Sequence, residues 1–437
     1  MHPRLILVIA AWSLCAQQDT TIRLDVQQVL VPVVVTDKKG HHVSGLHAHD
    51  FQIFEDGVQQ EIASFSSGTA GSVDDIAALS KSASAHTGPR HTFVICIDTL
   101  HASLASAART REALENLFDK EKPADAQYVL IGIGRQLQVL QAATSSPLAI
   151  LLKLRGAAFQ NAMGGLDASA LLAQLQNIGT RMGEFCKRCG CGTRPNQGSC
   201  DSEIDTLKQS VDADAERWTA PTNGLLEQFT KVVEELAKLP TGRTLILVSD
   251  GFNLNPKREF YAAVSAYLPN RPQFKLNDSS NAEHLREALK VASEHNVTID
   301  TVDSRGGATA SLASAGSMDA SASGGTGGGY SMLGTNRPAT TRSGPVQSTP
   351  DPKANPFTSQ ESAPMEQLAR STGGVHFHDG SDMLKQFRSA LADGREYYVL
   401  AYTPKNKSRD GKYRSIVVAV ADKKLNLRAK LGYWAPQ

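Results

Sequence analysis

Four near-continuous apolar runs constrain this 437-residue chain more than any other feature. They lie at residues 92–97, 128–133, 245–248 and 297–302, each of strand length, the first three almost wholly apolar and the last interrupted by Thr298, Asp300 and Thr301. Runs of this kind are expected where strands are covered on both faces, as in a parallel sheet clad by helices. Helical patterns fall around them, at 104–120, 169–178, 223–239 and 282–295. Strand alternating with helix predicts right-handed crossovers and a doubly wound, mainly parallel α/β sheet. The pattern pauses after residue 305 and resumes with a helix at 361–371, a strand at 375–378 and a helix at 381–392. The α/β domain is therefore expected to span residues 91–394.

The flanks follow a different rule. Residues 17–66 carry short strand signals separated by turns at Lys38-Lys39-Gly40 and Asp56-Gly57, and residues 67–90 read as a polar linker. Residues 395–437 hold three more strand signals, at 397–402, 413–420 and 425–434. Three strands alone make a marginal sheet, so the two β segments are predicted to pack together into a small β-sandwich. Inside the α/β domain, residues 306–359 are Gly, Ser, Thr, Ala and Pro with almost no apolar content, and disorder is expected there. Residues 180–215 read as a cysteine-containing loop.

Residues 1–16 have the form of a signal peptide: Arg4, an apolar run from Leu5 to Leu14 broken at Ser13, then small or polar residues. That run is too short to span a bilayer, and no other segment has eighteen consecutive apolar residues. An exported protein, periplasmic or extracellular, with no membrane span in the mature chain, is the expectation. Cys186, Cys189, Cys191 and Cys200 then read as two disulfides, with three possible connectivities. The competing reading is a four-thiolate zinc knuckle, since Cys186 and Cys189 have metal-sharing spacing. Cys96, alone in a strand core, reads as a buried small hydrophobe. Lys plus Arg number 45 against 44 Asp plus Glu, a formal net charge of +1, which offers no field for gripping nucleic acid.

In an open parallel sheet, ligands bind beyond the carboxyl ends of the strands, so the residues that end them matter most. Here they are acidic: Asp98, Asp250 and Asp303. Converging carboxylates call for a cation, for which Mg²⁺ is the economical choice. The alternative is that each acid caps the helix that follows it, or for Asp303 closes a turn. Two stretches, Thr92-Phe-Val-Ile-Cys-Ile-Asp98-Thr-Leu-His-Ala-Ser103 and Gly242-Arg-Thr-Leu-Ile-Leu-Val-Ser249-Asp250-Gly251, resemble the first and last metal-site motifs of a von Willebrand factor type A domain. Flanking stretches strengthen the resemblance: 31–37, Asp50-Phe-Gln-Ile-Phe-Glu-Asp56-Gly57, 368–374 and 397–404. In this order they resemble the acidobacterial von Willebrand factor A-related family of exported proteins.

The resemblance implies a metal-ion-dependent adhesion site and, with it, a protein partner whose acidic side chain completes the ion's coordination. It implies Asp98 and Asp250 as metal ligands, and Thr222 as the candidate threonine ligand, although helix N-capping accounts for Thr222 equally well. The family loop reads Asp-x-Ser-x-Ser, whereas this chain has Leu100 and Ala102 at the two serine positions, so the site is degenerate. His101 or Ser103 could substitute, and an imidazole suits a transition metal better than Mg²⁺.

No nucleophile elbow, zinc-protease helix, P-loop or dinucleotide loop is present in the sequence. The favoured reading is a non-enzymatic adhesion or scaffold protein presenting the carboxyl edge of its sheet to another protein. The alternatives are a metal-assisted hydrolase using Asp98 and Asp250, and a purely structural domain. Two histidine sets, His41, His42, His47 and His49, and His376 with His378, could hold a transition metal, though solvated histidines are the commoner case.

Overall fold

A computed structural model describes residues 28–67, 91–121, 126–162, 168–189, 191, 200–239, 242–268, 274, 280–305, 364–378 and 382–437. The expected signal peptide, almost all of the linker, and the Gly/Ser-rich stretch 306–359 lie outside the described residues.

The runs that are apolar throughout form the middle of a six-stranded sheet. Its strands are β5 (His91–Asp98), β6 (Gln127–Ile133), β7 (Gln138–Thr144), β8 (Gly242–Ser249), β9 (Thr298–Asp303) and β10 (His376–Phe377), in the order β10-β9-β8-β5-β6-β7. All are parallel except β7, which runs antiparallel to β6. Every residue of β5 is buried, because side chains alternate between two covered faces. Phe93, Ile95 and Ile97 meet α1 (Leu104–Asn116), α2 (Pro147–Arg155) and α9 (Met383–Asp393). Val94 and Cys96 meet the second half of α5 (Asp201–Ala237), α7 (Ser280–Glu294) and α8 (Pro364–Thr372). Cys96 is fully buried there, and burial pushes its thiol well above the ordinary range, as fits a core residue. Numbered along this sheet, the strand order is 3-2-1-4-5-6, that of a doubly wound fold, with the switch point between the carboxyl ends of β5 and β8.

The terminal segments do combine. One four-stranded sheet has the order β13-β1-β11-β4, built from β1 (Val29–Thr36), β4 (Ile62–Ser67), β11 (Tyr398–Tyr402) and β13 (Asn426–Ala429). The other has the order β14-β12-β2-β3, built from β2 (Phe51–Glu55), β3 (Val58–Gln60), β12 (Tyr413–Val420) and β14 (Gly432–Trp434). Each therefore combines strands from both ends of the chain, alternating in the first and side by side in pairs in the second, and Val31, Val33, Leu400 and Tyr402 of the first share a core with Phe51, Ile53 and Ile416 of the second. The sandwich docks on the α/β domain through Ser293 Oγ, which donates to Gly432 O at 2.6 Å, and through Lys430.

Several expectations need correction. The stretch 425–434 is not one strand; it breaks between β13 and β14, which join different sheets. The region 180–215 is not a loop: α4 (Ala168–Cys189) runs through its first half and α5 begins at Asp201. The helix expected at 223–239 is the second half of α5, which continues through Pro221. Proline removes one donor, but burial on both sides outweighs that local cost. Val211 and Ala215 before it pack against Phe260 and Val264 of α6 (Pro256–Ser265), and Leu225 and Phe229 after it pack on the sheet.

Two disulfides close the α4–α5 junction, Cys186–Cys191 and Cys189–Cys200, one of the three connectivities. The sulfurs pack with the cluster of Ile178, Met182, Phe185 and Ile204. Replacing Cys189 and Cys200 by Ser is expected to cost about 2–3 kcal/mol by releasing a closed loop in the unfolded chain. Thermal unfolding of the oxidised wild type and the double variant checks it; equal stability would mean the helices hold the junction unaided.

Candidate functional site

The carboxyl edge at the switch point is organised by Asp98, whose side chain is fully buried. Its Oδ1 accepts from the backbone N–H of Leu100 at 2.9 Å and of His101 at 3.0 Å, which folds the loop after β5 back over the strand end. Its Oδ2 lies 2.9 Å from His101 Nδ1 and accepts from Ser249 Oγ at 2.6 Å. Burial works against the charged carboxylate, and the His101 charge and hydrogen bonds, joined by the Ser249 hydroxyl, outweigh it, so the carboxyl is held below its ordinary range.

The far side of the imidazole faces α5, where His101 Nε2 is 3.3 Å from Thr222 Oγ1. Thr222 is buried inside α5 and donates to Trp218 O at 3.1 Å, so the N-capping alternative for it is corrected: it stands mid-helix. Asp250 is half-buried; its Oδ2 accepts from Ser103 N at 2.9 Å and its Oδ1 from Ser304 Oγ at 2.6 Å. Neither acid caps the helix after it. Ser103 caps α1 by accepting from Ser106 N, and Asn255 caps α6 by accepting from Arg258 N. Asp303 closes a turn onto Arg305, accepting from its N–H at 2.9 Å and from its guanidinium.

The fold thus brings Asp98, Asp250 and Thr222 to one edge, but it fills the space among them with protein. Every oxygen of Asp98 and Asp250 has a protein donor, and the His101 imidazole bridges Asp98 to Thr222. Leu100 is 1% exposed and lies in the core, while Ala102 is buried and offers no ligand. These residues do not fit a Mg²⁺ site, which needs open carboxylate oxygens and room for several waters. The sequence reading missed Ser249 and Ser304, each a hydroxyl adjacent in sequence to an acid at a strand end.

Beside this edge lies an open pocket of about 590 Å³, lined by Gly134, Arg135, Gln174, Arg217, Trp218 and Pro221 among others. Gly134 allows the loop after β6 to pass against Thr99, since a Cβ there would lie 2.3 Å from Thr99 Oγ1. The Trp218 indole is fixed by donating to Gln174 Oε1 at 2.6 Å, and Gln174 in turn donates to Asp214. Arg135 and Arg217 are exposed and, among the described residues, make no ion pair. Leu104, the first residue of α1, is 76% exposed beside Ser103. Neither the arginines nor Trp218 belongs to a motif, so only the folded arrangement reveals the pocket.

No protein-family model matches the sequence, and no curated protein matches it. Among solved structures the chain is similar to BatB, a conserved hypothetical protein of Bacteroides thetaiotaomicron, at 10% identity and a TM-score of 0.28, over 69% of this chain and 98% of that one. It is similar to a von Willebrand factor type A protein of Catenulispora acidiphila at 9% identity and a TM-score of 0.27, over 79% and 66%. It is also similar to the PilB minor pilin of Streptococcus sanguinis at 11% identity and a TM-score of 0.24, over 50% and 51%. The strand order, and not these distant likenesses, defines its α/β class.

Proposed function

We propose that this chain is an exported, non-enzymatic interaction protein of the von Willebrand factor A-related type, and that it engages another protein through the carboxyl edge of its sheet without a resident metal. The observation that carries the reading is the internal bridge Asp98–His101–Thr222 beside an open pocket that holds Trp218 and two arginines against one carboxylate, Glu216. The bridge supplies from protein atoms the order a cation would give. The pocket offers a fixed indole and two guanidinium groups that make no ion pair among the described residues, and Leu104, outside the pocket at the start of α1, adds an exposed apolar side chain. Arg135 and Arg217 favour a partner with acidic side chains at its rim. Hydrolysis is the weaker reading, because Asp98 is buried with both oxygens committed and has no free lone pair aimed at solvent. Export is supported by the signal-like leader and the two disulfides.

The test is capture of a partner from envelope or secreted fractions by wild type, by Leu104→Asp and by Arg217→Glu, each with and without EDTA. A protein retained by wild type, unchanged in EDTA and lost at least tenfold in both variants is the expected result. Capture abolished by EDTA, or untouched by both substitutions, overturns the reading.

A further inference from the structure

We infer that His47, His49 and Asp50 form a binding site for a transition-metal ion of the Zn²⁺ class, on the sandwich and independent of the sheet edge. The sequence His47-Ala48-His49-Asp50 crosses a single helical turn, Ala48–Asp50, that leads into β2. This turn brings the two imidazoles together as a stacked pair, with ring centroids 5.4 Å apart and planes 14° from parallel. It also sets both against one carboxylate: His49 Nε2 is 3.6 Å from Asp50 Oδ1, and His47 Nδ1 is 4.0 Å from Asp50 Oδ2. One ligand atom from each of the three lies within 4.8 Å of the others. An ion bound at roughly 2.0–2.2 Å from each needs donors a little closer than this, which exposed side chains reach by small rotations.

The backbone that carries these donors is held from both sides. Asp50 N donates to His47 O at 3.0 Å, His47 N donates to Asp50 Oδ2 at 2.8 Å, and Ala421 N donates to Asp50 O at 2.8 Å. The carboxylate is therefore oriented before any ion arrives, as outer hydrogen bonds do in metal sites. The imidazole side chains are 73% and 79% exposed, so binding displaces no buried contact. Two imidazoles and one carboxylate select Zn²⁺, Cu²⁺ or Ni²⁺ over Mg²⁺ and Ca²⁺. Three ligands on one face leave a coordination position open to water or to a donor from another molecule.

The probe is Zn²⁺ alone, measured by equilibrium dialysis on the untagged, oxidised chain, with competition by Mg²⁺. The expected result is one equivalent of Zn²⁺, undisturbed by excess Mg²⁺, with affinity reduced at least tenfold in His47→Ala/His49→Ala and in Asp50→Asn. His376→Ala, at the second histidine pair, should bind as wild type. These positions are at the surface, so unchanged melting of the metal-free variants shows that folding is intact. Absence of stoichiometric Zn²⁺ from wild type, or retention of its affinity by the double variant, overturns the inference.

Discussion

Asp98→Ala is expected to lower the melting temperature by about 10 °C, and EDTA is expected to change neither protein. The buried carboxylate is the shared acceptor for Leu100 N, His101 N, the His101 imidazole and Ser249 Oγ. Alanine removes the acceptor and leaves those donors in a site that water does not reach, a loss of the kind that costs roughly 3–5 kcal/mol when one partner of a buried charged pair is deleted. For a domain of this size each kcal/mol corresponds to about 2–4 °C. Asp98→Asn should cost less, since one amide oxygen still accepts while the NH₂ faces donors. The acid limb carries the same signature. A carboxyl held below its ordinary range contributes stability above the unfolded value of 3.8 and loses it as pH falls through the folded value. Wild type should therefore lose more stability than Asp98→Ala between about pH 4 and pH 2. If Mg²⁺ restored or raised the melting temperature of wild type, and the substitution abolished that gain, the carboxylate would be a metal ligand and the internal bridge a misreading.

What was legible in the sequence follows from what solvent does to a pattern. β5 and β8 could be read because both faces are buried, which writes a continuous apolar run, and their terminal acids mark the edge where ligands bind. β7 could not, because it is an edge strand in which only Leu140 is buried, so neither run nor alternation survives. Only the second half of α5 is legible, because Pro221 is a local breaker just before it, whereas the packing of both halves outweighs that break. β13 and β14 fused because the residue between them that matters, Lys430, looks like a surface lysine until the sandwich covers it. At the site, Asp98, Asp250 and Thr222 were found one by one. Their shared hydrogen bonds join residues more than a hundred positions apart, and no local spacing encodes them.

Raising the pH from 7 to about 9.5 is expected to stabilise the wild-type protein, and Lys430→Met is expected to abolish that gain. Lys430 is 4% exposed at the seam between sandwich and α/β domain, where Nζ donates to Asn296 Oδ1 at 2.7 Å and to Ser293 O at 3.2 Å. Among the described residues it has no carboxylate partner, and burial lowers its pKa from 10.5 to about 7. Between those values the unfolded chain holds a proton that the folded chain has released, so stability rises with pH across that window. Other buried groups do not mask it. His91, lowered to about 3 by burial, adds stability between pH 3 and 6.5. Asp300, raised to about 7 by burial, removes stability between pH 3.8 and 7, so the two largely cancel on the acid side. His42, raised above 6.5 chiefly by its hydrogen bond to Asp393, loses its contribution as pH passes upward through that raised value, an opposite slope that Lys430→Met leaves in place. Tyr402, Tyr413 and Tyr433 are raised by burial and take stability away only above the unfolded value of 10. The gain from Lys430 is on the order of 3 kcal/mol, or about 5–10 °C. Methionine keeps the length and removes the charge, but it leaves Ser293 O and Asn296 Oδ1 without their donor, which costs roughly 1–3 kcal/mol at every pH. The variant should therefore melt below wild type, and its profile should lack the Lys430 rise between pH 7 and pH 9.5. A wild-type melting temperature that does not change over this range, or a variant that keeps the slope, would show that Lys430 stays protonated and that water reaches the seam.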